Sequence, residues 1–146
     1  MAIPIPAEVR QLLEAPNYVH LSMLRADGSP RNWVVWVGLE GDYILVCTYE
    51  AIWKAKDMRR DPRVAMSVTD MANPYRMAAI QGRVAEVRSD EGCRYMDPIS
   101  MKYTSAPFSS RGPDRVCFVI AVEKAACRTL SFAHHPPLDG PRIGAG

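Results

Sequence analysis

No C-x-x-C pair occurs in this sequence, although it holds four cysteines, Cys47, Cys93, Cys117 and Cys127. The usual zinc and dithiol spacings are therefore missing. Thiols inside apolar runs, such as Cys47 and Cys117, read as reduced and buried. No stretch approaches the ~20 apolar residues of a membrane helix. The opening MAIPIPAEVR has no basic segment followed by an apolar one, so no secretory leader is expected and the expected location is cytoplasmic. Charge of one sign is lacking too. A net charge of +2 over 146 residues gives no general reason to expect nucleic acid or a membrane as partner. The motifs G-x-S-x-G, H-E-x-x-H, G-x-x-x-x-G-K-[ST] and G-x-G-x-x-G are absent, which argues against the common hydrolase, zinc-protease and nucleotide-binding chemistries. Histidine is scarce: His20 falls in an expected strand and His134-His135 in a tail, so no metal set is expected.

What is present is a series of short runs at strand spacing. Ala7 to Glu14 predicts an opening helix with Val9, Leu12 and Leu13 on one face, ended by Pro16. Strands are expected over Tyr18 to Leu24, Arg31 to Val37, Tyr43 to Thr48, Val64 to Thr69, Tyr75 to Arg88, Arg115 to Val122 and Ala126 to Phe132. The turns at Asp27-Gly28 and Glu40-Gly41-Asp42 are short enough to demand antiparallel pairing. Gly82 inside the fifth strand predicts a bulge or bend. Helices are expected over Ile52 to Arg60, with Ala51, Ala55 and Met58 on one face, and over Ser89 to Lys102, where Asp90 and Glu91 suit a helix start. The fold class expected is mainly β: six to seven antiparallel strands closed into a barrel that hides its edges, with a few short helices. One domain is expected over residues 1–133, with a flexible tail over 134–146.

The second and third strands are apolar on both faces. Trp33, Val35 and Val37 oppose Val34 and Trp36; Leu45 and Cys47 oppose Ile44 and Val46. A sheet with one wet face alternates cleanly, so the outer face needs a cover. A second copy of the chain is the simplest one, the chain's own helices the other.

One charge cluster stands out: Lys54, Lys56, Arg59, Arg60 and Arg63. Such runs are commonly solvated helix faces. Lys54, however, falls in the first turn of its helix, where a cation opposes the helix dipole by roughly 0.3–1 kcal/mol. A bound anion, held by the lysine and the helix-start N–H groups, would compensate.

These residues carry a family resemblance. Leu45 to Thr69 (LVCTYEAIWKAKDMRRDPRVAMSVT), the strand pair DGSPRNWVVWV, the strand NPYRMAAIQGRVAEV, the segment Lys102 to Phe108 and the strand Arg115 to Ile120 resemble, in the same order, the pyridoxamine 5'-phosphate oxidase-like class of F420- and FMN-binding split barrels, of the flavin/deazaflavin oxidoreductase B type. The resemblance covers nearly the whole chain up to about Phe132. It implies an FMN-binding-type split β-barrel, working as a homodimer with the cofactor in a groove at the dimer interface. It implies phosphate binding at Lys54, ring contact along Asn32, Trp33 and Val34, and a strand-end threonine at Thr48. The implied activity is hydride transfer between the deazaflavin F420 and a small unsaturated or conjugated substrate, with no protein residue named as catalytic. Tyr75, Met77 and Tyr103 are the candidates for the substrate side.

The sequence departs from that pattern at the site. Ile52-Trp53 stands where relatives often have Gly-Arg, Asp57 where they have Asn, and Cys47 where they have Asn. Arg31 or Lys56 is expected to replace the missing cation, Asp57 either to face the phosphate or to pair with a lysine, and Trp53 to fill part of the groove or stack on the ring. FMN is the alternative cofactor, and a non-enzymatic or haem-binding barrel with His20 as ligand is the third reading. The basic, histidine-containing C-terminal segment of pyridoxamine-phosphate oxidase proper is not found.

Overall fold

The computed structural model describes residues 1–136. In chain order the elements are α1 (Ala7–Glu14), β1 (Val19–Leu24), β2 (Pro30–Val35), β3 (Gly38–Glu40), β4 (Tyr43–Tyr49), α2 (Trp53–Arg60), β5 (Arg63–Thr69), β6 (Arg76–Ser89), a 3-10 turn (Glu91–Cys93), α3 (Met96–Thr104) and β7 (Arg115–Thr129). The strands form one sheet in the order β2-β1-β5-β6-β7-β4-β3, with every neighbouring pair antiparallel. Only Trp36 and Val37 separate the two end strands, β2 and β3. The chain itself thus bridges the sheet's edges and closes a split barrel.

Strand alternation fills the interior. Val19, Leu21 and Met23 of β1 and Val64, Met66 and Val68 of β5 point in, joined by Ile44, Val46, Phe118 and Ile120 from β4 and β7. Helix α1 adds Val9, Leu12 and Leu13, and α2 adds Ala55 and Met58. Each such side chain, once fully buried, stabilises the fold by roughly 1.5–3 kcal/mol.

Four expectations change. The two strands expected at Arg115–Val122 and Ala126–Phe132 are one strand, β7. Its partner register jumps from Gln81↔Lys124 to Gly82↔Val122, leaving Glu123 as the extra residue of a bulge. That shift breaks the two-residue pattern and mimics a turn in the sequence. The run Arg31–Val37 splits, because the chain leaves the β2 ladder after Val35 and crosses to β3. The helix expected from Ser89 starts only at Met96, because Gly92 and Cys93 hold left-handed backbone angles, φ 68° and 58°. Finally, the outer face of β4 is covered by the chain's own α3: Leu45 packs, with Cys117 and Val119, on Met96 and Ile99, and Cys47 borders that cluster. On β2, by contrast, Trp33 and Val34 remain 56% and 47% exposed.

Gly82 sits at the bulge for a steric reason. A Cβ there would lie 2.6 Å from the Ala121 carbonyl oxygen and 3.0 Å from Ile120 Cγ2. Gly82→Ala is expected to lower stability by about 1–3 kcal/mol, as overpacking does, measured as a lower urea midpoint. An unchanged midpoint would mean that the β6–β7 pair is not so close.

Of the tail expected over 134–146, residues 137–146 lie outside the described residues. His134 is half-buried, its ring 6.4 Å from that of Tyr75. No helix among the described residues is long and apolar enough to cross a membrane.

Candidate functional site

Two grooves flank β2. The first, about 360 Å³, is walled by Val34, Trp36, Cys47, Met96 and Phe108, with Lys54 at its rim. The second, about 410 Å³, lies between β2 and the start of α2 and is lined by Arg25, Arg31, Asn32, Trp33, Ile52 and Trp53. A third cavity, about 520 Å³, is larger, but it is lined from α1, β3 and α3 and holds none of the candidate cofactor-binding residues.

Lys54 is the second residue of α2. The segment EAIWK starts a helix with no capping side chain and no acidic residue in its first turn, so the first N–H groups and the lysine put positive charge at one helix end. Burial pushes the Lys54 amine below the ordinary lysine range, and no charged neighbour restores it. Its closest aromatic neighbour is Trp53, 5.9 Å from the ring centre. A desolvated cation without a counter-ion among the described residues, at a helix start with uncapped N–H groups, is electrostatically suited to a phosphate.

Asp57 is turned away from both grooves. Buried under α2, it pairs with Arg31 at 2.7 Å and with Arg60 at 3.2 Å, and with no lysine. The Arg31 guanidinium is thereby fixed, and it lies 4.3 Å from the centre of the Trp53 ring. Trp33 meets Trp53 edge-on, with ring centres 5.6 Å apart. Arg31 thus lies over the Trp53 face, and the two perpendicular tryptophans form an aromatic corner in the second groove.

The structure therefore brings Arg31, Asn32, Trp33 and Trp53 together in one groove and Val34 and Lys54 in the other. Thr48 is buried at the end of β4, on the face shared with Ile44 and Val46, and lines neither groove. Lys56 is exposed on α2. Tyr75 packs on Phe132, away from both grooves. Tyr103 stacks on Trp36 at 5.1 Å and 6°.

The β2–β3 crossing, which supplies Trp36 to the groove wall, is clamped by α3. The Tyr103 hydroxyl accepts from the Val37 N–H at 3.3 Å and donates to the Asn17 carbonyl at 2.7 Å. Lys102 Nζ donates to the Val37 carbonyl at 2.6 Å and to the Leu13 carbonyl at 2.7 Å; burial pushes its pKa down to about 8. Both backbone groups of Val37 are thus satisfied by neighbours on one helix.

Sequence reasoning did not single out Tyr18, Arg25, Met96 or Phe108 as lining residues. They come from four separate parts of the chain. They lie at or near the ends of elements and share no residue type or spacing that a single-sequence pattern would assign to a site.

No curated protein matches the chain in sequence. Among solved structures, an F420 reductase is 28% identical with a TM-score of 0.76, covering 84% of this chain and 98% of that one. The conserved hypothetical protein Rv2991 from Mycobacterium tuberculosis is 21% identical with a TM-score of 0.71, covering 93% of each chain. A heme binding protein from Mycobacterium smegmatis shares the fold at 17% identity and a TM-score of 0.61, covering 86% of this chain and 55% of that one. The profile of the pyridoxamine 5'-phosphate oxidase family matches residues 5–127. With the antiparallel split barrel and the lysine-rimmed groove along β2, that match places this chain in the pyridoxamine 5'-phosphate oxidase family.

Proposed function

We propose that the chain is a homodimeric oxidoreductase that binds the deazaflavin F420 along β2 and passes hydride between it and a small unsaturated or conjugated substrate. The observation that carries this reading is the half-buried Lys54 amine, without an ion-pair partner among the described residues, at the rim of an apolar groove. The similarity to an F420 reductase supports it. The residues present suit such a group. Lys54 and the first N–H groups of α2 would hold its phosphate, and the strand segment from Asn32 to Val34, with Trp36 and Phe108, would border its ring. Arg25 and Arg31 would face acidic substituents in the second groove. The cofactor supplies the two-electron chemistry when bound; the chain orients it and excludes water, and no side chain is assigned a proton-transfer role.

The dimer reading rests on the outer faces of β1, β5 and β6. His20, Ser22, Ala65, Ser67 and Ala79 give a surface of mostly small side chains beside the exposed Val34. A second copy seated there would cover Val34 and complete the open side of both grooves.

FMN is the second reading. Among the described residues Lys54 is the one cation that lines the first groove, enough for one phosphate, and Asp57 holds Arg31 in the second. The haem reading has no such support. His20 stands on the outer face of β1, opposite Val34 and Ser67, and lines neither groove.

Titrating the purified chain with F420 and with FMN, read by fluorescence, tests the proposal. Tight binding of F420 with weak binding of FMN is expected. Preference for FMN would move the chain to the flavin reading, and binding of neither would remove the cofactor groove altogether.

A further inference from the structure

Strands β4 and β7 place Cys47 directly opposite Cys117. The Glu50 N–H donates to the Asp114 carbonyl at 2.8 Å, which makes those residues a hydrogen-bonded pair at the end of the ladder. The register between β4 and β7 is unbroken, and such pairs alternate with non-hydrogen-bonded ones. Three steps back, Cys47 and Cys117 form a non-hydrogen-bonded pair. Opposite Cα atoms at these positions stand about 4.5 Å apart, within the ~4.4–6.8 Å range that a disulfide spans.

Both side chains leave the sheet on the face covered by α3, next to Met96 and Ile99. Contact with the Cys117 thiol is the largest cause of the upward shift in the Cys47 pKa, followed by burial. Both are free thiols. They differ in access: Cys117 is sealed, whereas Cys47 is half-buried and forms part of the wall of the Lys54 groove.

We propose that Cys47 and Cys117 are a redox couple in the wall of the cofactor groove, closed to a cross-strand disulfide by small disulfides of the glutathione class that reach Cys47 through that groove. The Cys47 thiolate attacks one sulfur of the oxidised glutathione. That S–S bond breaks, a glutathione thiolate leaves and takes a proton, and Cys47 carries the other glutathione as a mixed disulfide. Cys117 then loses its proton and attacks the Cys47 sulfur, and the second glutathione leaves as a thiol. Two cysteine thiols are oxidised and one glutathione disulfide is reduced to two thiols.

Cys47 is the entry thiol because it is the reachable one, and Cys117 resolves because it is directly opposite. The scarcity of thiolate makes closure slow. The same scarcity leaves the dithiol form without extra stabilisation, so the disulfide resists reduction once formed. Closure draws the Cys47 sulfur toward β7 and locks β4 to β7 behind the groove. This inference does not depend on which cofactor the groove takes.

The test uses the full chain, incubated with oxidised glutathione, quenched, unfolded and labelled with N-ethylmaleimide. Loss of two of the four labelled thiols, with the tryptic peptides 32–54 and 116–124 recovered as one disulfide-linked species, is the expected result. Cys117→Ser should instead stop at one glutathione on Cys47. Four labelled thiols after prolonged exposure of the wild-type chain, a glutathione that stays on wild-type Cys47, or a linkage to Cys93 or Cys127 would each overturn the proposal. The wild-type peptide map decides it even if the serine variant folds poorly.

Discussion

Asp90→Ala is expected to lower the unfolding free energy by about 3–5 kcal/mol, the range for stranding one member of a buried ion pair. Asp90 is 0% exposed and Arg115 3%. Asp90 Oδ1 accepts from the Tyr95 N–H at 2.6 Å and, at 3.4 Å, from the Met96 N–H, which anchors the start of α3. Asp90 Oδ2 faces Arg115 Nε at 3.5 Å, and neither atom has a hydrogen bond. The guanidinium is sandwiched between the rings of Tyr49 and Phe108, 4.8 and 4.7 Å from their centres, and donates to the Ser110 carbonyl at 3.3 Å. Truncation of Asp90 removes the anion and leaves that cation in an apolar, aromatic site with little access to water. It also orphans the two N–H groups at the start of α3. The charge term can be separated from the capping term. In Asp90→Ala/Arg115→Met no buried charge remains, so the double variant should be less destabilised than Asp90→Ala alone. Urea unfolding of the wild type, Asp90→Ala, Arg115→Met and the double variant decides it. A double variant as unstable as the sum of the singles would mean that capping, not charge, is the dominant loss. The effect reaches the groove, because Met96 and Phe108, which this pair holds in place, form part of its wall.

Such a pair was beyond the reach of sequence reasoning, while much around it was not. The antiparallel barrel is written in local signals: Asp27-Gly28 turns β1 into β2, Glu40-Gly41-Asp42 turns β3 into β4, and Gly82 lies at the bulge expected of it. Lys54 is legible for the same reason, since its place in the first turn of α2 follows from Ile52, Asp61-Pro62 and the spacing of Ala55 and Met58. Asp90 is half legible. Its carboxylate does receive the N–H groups at a helix start, but left-handed Gly92 and Cys93 push that start to Met96. What failed depends on register between distant segments. Nothing local says that Arg115, the first residue of a strand, turns inward onto Asp90, or that Cys47 meets Cys117. Nothing local says that Asp57, within three residues of four cations on α2, pairs with Arg31 of β2 as well as with Arg60. The outer face of β4 shows the same limit. Leu45 beside Ile44 tells that both faces are covered, and the cover is α3, about fifty residues on in the sequence.

Lys54→Ala is expected to weaken cofactor binding about 5- to 150-fold, from roughly 1–3 kcal/mol for a lost hydrogen bond to a charged group, with the fold unchanged because the amine's nearest partner is the Trp53 ring, 5.9 Å away. Lys54→Arg keeps the charge and should recover part of the affinity, whereas Lys56→Ala, on the exposed side of α2, should leave it nearly intact. Burial holds the free amine below the ordinary lysine range, and a bound phosphate would raise its pKa again by favouring the ammonium. Binding then takes up a proton wherever the pH lies between the free and bound values. Affinity should be full below that window and fall as pH rises through it, and the slope should vanish in Lys54→Ala. Fluorescence titrations of the three variants and the wild-type chain over that range provide the readout. An alanine variant that binds as tightly as wild type, with the same pH slope, would place the phosphate elsewhere, and the second groove with Arg25 and Arg31 would then be the site to examine.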